Sequence, residues 1–167
     1  YGNPAVNFTA ADPSTTEFRM TGTGGTSVTG GNYGIGWQGL ITVTSGTLKA
    51  CVVTGTGGSG GTDNTGVFII RQGPTTNTSG VNTLTINGTS GNGNSSCGVK
   101  LTNTINPAVI GSTSTTADIS ITGTCSTASA SGLVGVLIQG GSTVQTGGSG
   151  TITIVGTGGA NGTSGSS

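Results

Sequence analysis

Apolar and polar residues alternate in short runs along this chain, and one run returns at a nearly fixed interval. An apolar residue, a small residue and Gly-Thr stand together at Met20-Thr21-Gly22-Thr23, Val53-Thr54-Gly55-Thr56, Ile86-Asn87-Gly88-Thr89, Ile121-Thr122-Gly123-Thr124 and Ile154-Val155-Gly156-Thr157. The anchors lie 33, 33, 35 and 33 residues apart, a period that marks stacked repeat architectures. Two residues before each anchor stands a second apolar side chain, and the residue between the two changes from Arg19 to Val52, Thr85, Ser120 and Thr153. Alternation of period two predicts a strand with one buried face. The expected core ladder is Phe18, Met20, Cys51, Val53, Leu84, Ile86, Ile119, Ile121, Ile152 and Ile154.

A second column follows about ten to twelve residues after the glycine of the phrase: Gly34-Ile35-Gly36-Trp37, Gly66-Val67-Phe68-Ile69, Gly98-Val99-Lys100-Leu101 and Gly135-Val136-Leu137-Ile138. A weaker third strand is read at Leu40–Thr44, Ala108–Ile110 and Ser142–Gln145, and it degrades at Gly73-Pro74-Thr75-Thr76. Runs rich in Gly, Ser and Asn at 57–63, at 90–96 and after Gly158 read as loops bulging from one edge. Three short strands and a loop describe one coil of a β-helix. The chain is therefore expected to be all-β, a single β-helix (β-solenoid) domain over 1–167 with about five coils, roughly 1–31, 32–63, 64–96, 97–133 and 134–167. Coils about 4.8 Å apart would stack to roughly 24 Å. An antiparallel β-sandwich, with short strands between frequent turn signals, is the alternative, but a sandwich needs no register-matched repeat.

Composition supports the strand reading. Gly contributes 36 of 167 residues, charged residues 5%, and the formal net charge is zero. Good helix formers are scarce, while Thr, Val and Ile suit strands and Gly and Asn suit turns. Four basic residues (Arg19, Lys49, Arg71 and Lys100) leave no electrostatic footprint for nucleic acid. No apolar run approaches the ~18 residues of a membrane span. Scarce charge and abundant Ser and Thr lean towards an extracellular or cell-surface location. With neither Tyr1–Phe8 nor the Gly/Ser tail resembling a cap, the expected partners are copies of the same chain end to end, or flanking coils of a longer one.

Chemistry is thin. The chain has no His, which excludes Ser-His and Cys-His nucleophiles and His-ligated metals. Glu17 and Asp118 flank the same strand column three repeats apart, about 14 Å by coil spacing, too far for a two-carboxylate mechanism. No enzymatic activity, cofactor or metal is expected, and with Asp63 alone near a suitable loop neither is a calcium-loop array. Cys51 takes a core position; Cys97 and Cys125, 28 residues apart, fall in loops of adjacent coils where a disulfide is geometrically feasible. Asn94 and Asn161 head glycosylation sequons in loops. Thr23, Thr56, Thr89, Thr124 and Thr157 would form a ladder, read as one residue wide and lying at a glycine turn rather than on a flat face.

The closest phrase pair, Gly135-Val136-Leu137-Ile138 with Thr151-Ile152-Thr153-Ile154-Val155-Gly156-Thr157-Gly158-Gly159, resembles the coils of bacterial surface proteins of the filamentous-haemagglutinin and autotransporter-passenger type. The likeness is one of repeat style and extends over essentially the whole chain. It implies a right-handed β-helix, secretion, and a role in adhesion, surface display or fibre formation, and it carries over no catalytic residues. The expected function is a structural unit of a surface fibre or adhesin, with contact to cell-surface glycans. The alternatives are a carbohydrate- or ice-binding solenoid module and a pilin-like β-sandwich subunit.

Overall fold

The computed structural model describes residues 6–9, 17–37, 41–45, 48–70, 81–102, 107–111, 113, 117–126 and 130–159. Along the chain run β1 (Val6–Thr9), β2 (Glu17–Thr23), β3 (Ile35–Trp37), β4 (Ile41–Ser45), β5 (Leu48–Thr56), β6 (Ser59–Thr62), β7 (Val67–Ile70) and β8 (Val81–Thr89). They continue as β9 (Asn92–Asn94), β10 (Cys97–Thr102), β11 (Val109–Ile110), β12 (Asp118–Thr124), β13 (Val134–Ile138), β14 (Thr143–Val144) and β15 (Ile152–Thr157). Every pairing between these strands is parallel. The fold is a β-solenoid of period ~33, not a sandwich.

The repeated phrase builds one wall, a five-stranded sheet in the order β15-β12-β8-β5-β2. Its register carries Phe18 over Cys51, Cys51 over Leu84, Leu84 over Ile119 and Ile119 over Ile152, with Met20, Val53, Ile86, Ile121 and Ile154 two residues on. The second column builds a four-stranded wall, β13-β10-β7-β3, whose Ile35, Trp37, Val67, Ile69, Val99 and Leu101 face the first. The third strand of the coil is present as the pairs β1-β4 and β11-β14; its counterpart at 73–76 lies outside the described residues. The fold thus has five rungs in its longest wall and about three complete turns.

Burial follows the rungs. Cys51, Val53, Leu84, Ile86, Ile119 and Ile121 are buried in one continuous core, against which Phe18 and Met20 of the first rung pack partly buried. Ile152 and Ile154, expected in that core, are 40% and 43% exposed. Among the described residues no strand stacks beyond β15, so these side chains have a neighbour on one side only.

The glycine of the phrase is not a turn. Gly22, Gly55, Gly88 and Gly123 lie inside their strands and meet Gly34, Gly66, Gly98 and Gly135 of the opposite wall. A Cβ at Gly55 would overlap the carbonyl of Gly66, one at Gly88 the carbonyl of Gly98, and one at Gly66 the backbone of Thr89. Here the two walls touch backbone to backbone, and only hydrogen side chains fit the gap.

Beyond this seam lie the runs 57–63 and 90–96, expected to be bulging loops, and they are ordered rungs instead; the third expected loop, after Gly158, lies outside the described residues from 160 on. β6 pairs with β9, and Thr26 bridges to Ser59. Asn32, Asn64 and Ser96, each two residues before a seam glycine, hold them together. The buried Asn64 accepts at Oδ1 from the Asn32 side-chain amide at 2.9 Å and from the Asn32 backbone N–H at 3.3 Å. It donates from Nδ2 to the carbonyls of Gly60 and Asn92, and from its backbone N–H to Ser96 Oγ at 2.9 Å. A buried amide satisfied in this way specifies one register for the loops.

The two kinds of stack give opposed expectations along one chain. Gly88→Ala forces the walls apart and should cost about 1–3 kcal/mol or more by overpacking, whereas Gly25→Ala, with open space around its Cβ, should stay within about 0.5 kcal/mol. Ile86→Ala should cost about 2–5 kcal/mol, and Ile154→Ala, at the open rung, clearly less. Urea-unfolding midpoints of the four variants check both contrasts.

Candidate functional site: the open rung and the outer faces

Three surfaces are distinctive, and each follows from the ladders. The first is the open end. β15 has β12 on one side and, among the described residues, no strand on the other. Beside it a groove of about 550 Å³ is lined by Val134, Gly135, Val136 and Ile138 of β13 and by Ile154, Gly156 and Gly158. It sits over the last strand of the second wall, where one more rung of that wall would lie. Val155 on the outer side of β15 is 50% exposed.

The second is the outer face of the five-stranded wall. Thr23, Thr56, Thr89, Thr124 and Thr157 form the expected ladder. It is not one residue wide, because the glycine beside it belongs to the strand. Two further outward columns run parallel to it, Thr21-Thr54-Asn87-Thr122-Val155 and Arg19-Val52-Thr85-Ser120-Thr153. Ten of these fifteen positions are Thr, and Arg19 is the one charged residue, its guanidinium held by Glu17 at 2.8 Å.

The third lies outside the second wall. Asp63, in the left-handed region at φ 56°, accepts from Tyr33 Oη at 3.2 Å, from Thr65 Oγ1 at 3.0 Å and from Lys100 Nζ at 3.0 and 3.1 Å. Lys100 Nζ stands 5.2 Å from the centre of the Phe68 ring, which packs on Tyr33 with centroids 4.5 Å apart. Burial, then the neighbouring Asp63 carboxylate, pushes the Tyr33 phenol up to about 12. The cluster ties three successive coils together. With both carboxylate oxygens occupied by protein donors, it acts as a staple. The sequence aligned Phe68 with Lys100 in the second column, but nothing in the apolar pattern brought Asp63 and Tyr33 from the preceding segments to them.

The remaining candidates fall as follows. Glu17 and Asp118 share one outward column with Ala50 and Thr83 between them, so the two carboxylates stand three rungs apart. The Thr151 backbone N–H, then its hydroxyl, hold the Asp118 carboxyl below its ordinary range. Among the described residues no group of three His, Cys, Asp or Glu side chains converges as a metal site, and no helix is long and apolar enough to cross a membrane. Asn94 is exposed at the end of β9, its Oδ1 accepting the Ser131 N–H at 3.1 Å; Asn161 lies outside the described residues.

Cys51, Cys97 and Cys125 are all buried free thiols. Cys97 and Cys125 are not bridged in this structure, although they are near enough for Cys125 to help raise the Cys97 thiol. Cys97 opens β10 rather than lying in a loop and also neighbours Thr65, Lys100 and Asp63, and Cys125 is close to Ser90 and the Gly159 backbone. Burial pushes Cys51 up to about 12 and Cys97 up to about 11, and raises Cys125 as well.

Comparison with protein-family models, curated proteins and solved structures finds no match to this chain. Its function therefore has to be argued from the surfaces themselves.

The thiols make stability pH-dependent. Above an ordinary thiol pKa of about 9 the unfolded chain loses protons that the native chain keeps, so stability should fall as pH rises from 9 towards 12. The slope is up to about 1.4 kcal/mol per pH unit for each fully shifted thiol. Urea midpoints at pH 8 to 11 should show this decline, and Cys51→Val, close in size but without a proton, should make it shallower, with Cys97, Cys125 and Tyr33 leaving the remainder.

Proposed function

We propose that this chain is a structural unit of an extracellular fibre or surface adhesin, extended by adding rungs to its open end. The observation that supports this reading is the fifth rung, a strand whose outer edge has no partner among the described residues and whose Ile152, Ile154 and Val155 are half-exposed. An exposed, apolar edge strand is a template for further pairing.

The rung at the opposite end carries the same phrase. Laid on β15, a second copy's β2 would place Phe18 over Ile152, Met20 over Ile154, Gly22 over Gly156 and Thr23 over Thr157, the columns already used inside the chain. A head-to-tail contact of this kind does not close on itself and generates a filament. Flanking coils of a longer chain would meet the same edge by the same pairing. Outside the ladders, the low charge and the Ser/Thr-rich surface suit an exposed, hydrated location, and contact with cell-surface glycans is the adhesive role such a unit would serve. The load-carrying parts are the main-chain ladders and apolar stacks along the axis. With few charges at the contact, assembly should depend little on salt.

Electron microscopy of the purified chain, averaged along any filament, tests the reading. A continuous filament with ~4.8 Å layers along its axis and an axial repeat near 24 Å is expected, and Ile154→Asp, which places a charge in the stack, should leave folded single particles. Discrete wild-type particles at all concentrations, or filaments without that axial layer spacing, would overturn it.

A further inference from the structure

We infer that the threonine-rich outer face of the five-stranded wall is a binding surface for ice, through a rank of ordered water held between its rungs. The inference concerns the flank of the solenoid and is independent of how its ends are used.

The first observation is how the hydroxyls are spent. Many Ser and Thr side chains elsewhere bond within the protein, Thr65 to Asp63, Ser96 to the Gly93 carbonyl, Thr83 to the Lys49 carbonyl, Ser126 to the Gly91 carbonyl and Thr151 to Asp118 among them, while scattered exposed ones such as Thr62 and Thr143 do not. In the three outward columns none of the ten threonine hydroxyls is bonded to another group among the described residues. The internal bonds begin at the next column, Glu17-Ala50-Thr83-Asp118-Thr151, where the face ends.

The second observation is the spacing. Neighbouring rungs stand about 4.7–4.9 Å apart, too far for one hydroxyl to bond the next, since O–H···O contacts close at about 2.7–2.8 Å. One water fits between them. Two partners of a tetrahedral water, each at about 2.75 Å, are separated by about 4.5 Å, close to the rung spacing. A water shared by successive threonines therefore sits near its preferred angle, and its second-neighbour distance along the column approximates that of tetrahedrally bonded ice. Along the Thr23-Thr56-Thr89-Thr124-Thr157 column the five rungs give four such gaps without a change of register, and the Thr21-Thr54 pair beside it adds another.

The third is the chemistry of the face. A crystalline polysaccharide would favour aromatic side chains for stacking against sugar rings, and the fifteen positions hold none. A nucleic acid or an anionic surface would favour clustered basic residues, and Arg19, already paired with Glu17, is alone. The threonines present a methyl and a hydroxyl together, so apolar contact and hydrogen bonding to a flat water lattice are available at each point.

The test uses the full chain with growing ice as the probe. Wild-type protein should shape single ice crystals, give thermal hysteresis and partition into a slowly frozen ice hemisphere. Thr54→Tyr and Thr122→Tyr, in the middle of the face, should lose these activities while keeping a folded β spectrum and the wild-type urea midpoint. Thr143→Tyr, on the exposed part of β14, should retain them. Wild-type protein without hysteresis or ice capture would overturn the inference. So would central variants as active as wild type, or binding to crystalline cellulose or chitin without any effect on ice.

Discussion

In-register stacking is the constraint on which everything else here depends. A residue in one rung sits directly over its counterpart about 33 positions away, so a side chain is judged by the neighbours above and below it in its column as well as by its local environment. An inward column must be apolar throughout, and Cys51, Leu84 and Ile119 obey this with three different shapes. An outward column has no such requirement, which is why Arg19, Val52, Thr85, Ser120 and Thr153 share one. Stability is then close to a sum over adjacent rungs.

The glycine seam sets the cross-section within that frame. Where Gly55 meets Gly66 and Gly88 meets Gly98 the walls are in backbone contact, so the apolar core on one side is separated from an amide-lined lobe on the other. The far lobe is polar at Asn32, Asn64 and Ser96 and turns apolar at Leu133, buried at the same offset before Gly135. The apolar side is held by area removed from water, and the far side by specific bonds from Asn32, Asn64 and Ser96, which define the loops where little hydrophobic area is available.

Much of this was legible in the sequence, because the period, the two inward columns and the third strand at Ala108–Ile110 are written in apolar alternation. The signal failed where it depended on a partner across the coil. Gly22 and its equivalents read as turn residues because a glycine cannot say whether its missing side chain is excused by a positive φ or by an opposing backbone. The loops at 57–63 and 90–96 read as slack because their order rests on amides rather than on apolar spacing, although Asn32, Asn64 and Ser96 kept a fixed offset from the seam glycines that could have been noticed. The width of the threonine face was lost for the same reason as the seam, since a turn at the glycine would have ended the strand. Lys100 stood in the second column beside Phe68, but Asp63 and Tyr33 carried no pattern that would bring them to it.

The parallel register of the seam has a kinetic consequence. Each coil closes a loop of the same ~33 residues onto the coil before it, so the entropy of closure is set by one period and does not grow with the number of coils. The last completed rung is always the template for the next, with its ladder of backbone groups and its glycine notch already in place. Such a chain can take its shape progressively from one end, as it emerges from a narrow exit, without waiting for the residues still to come.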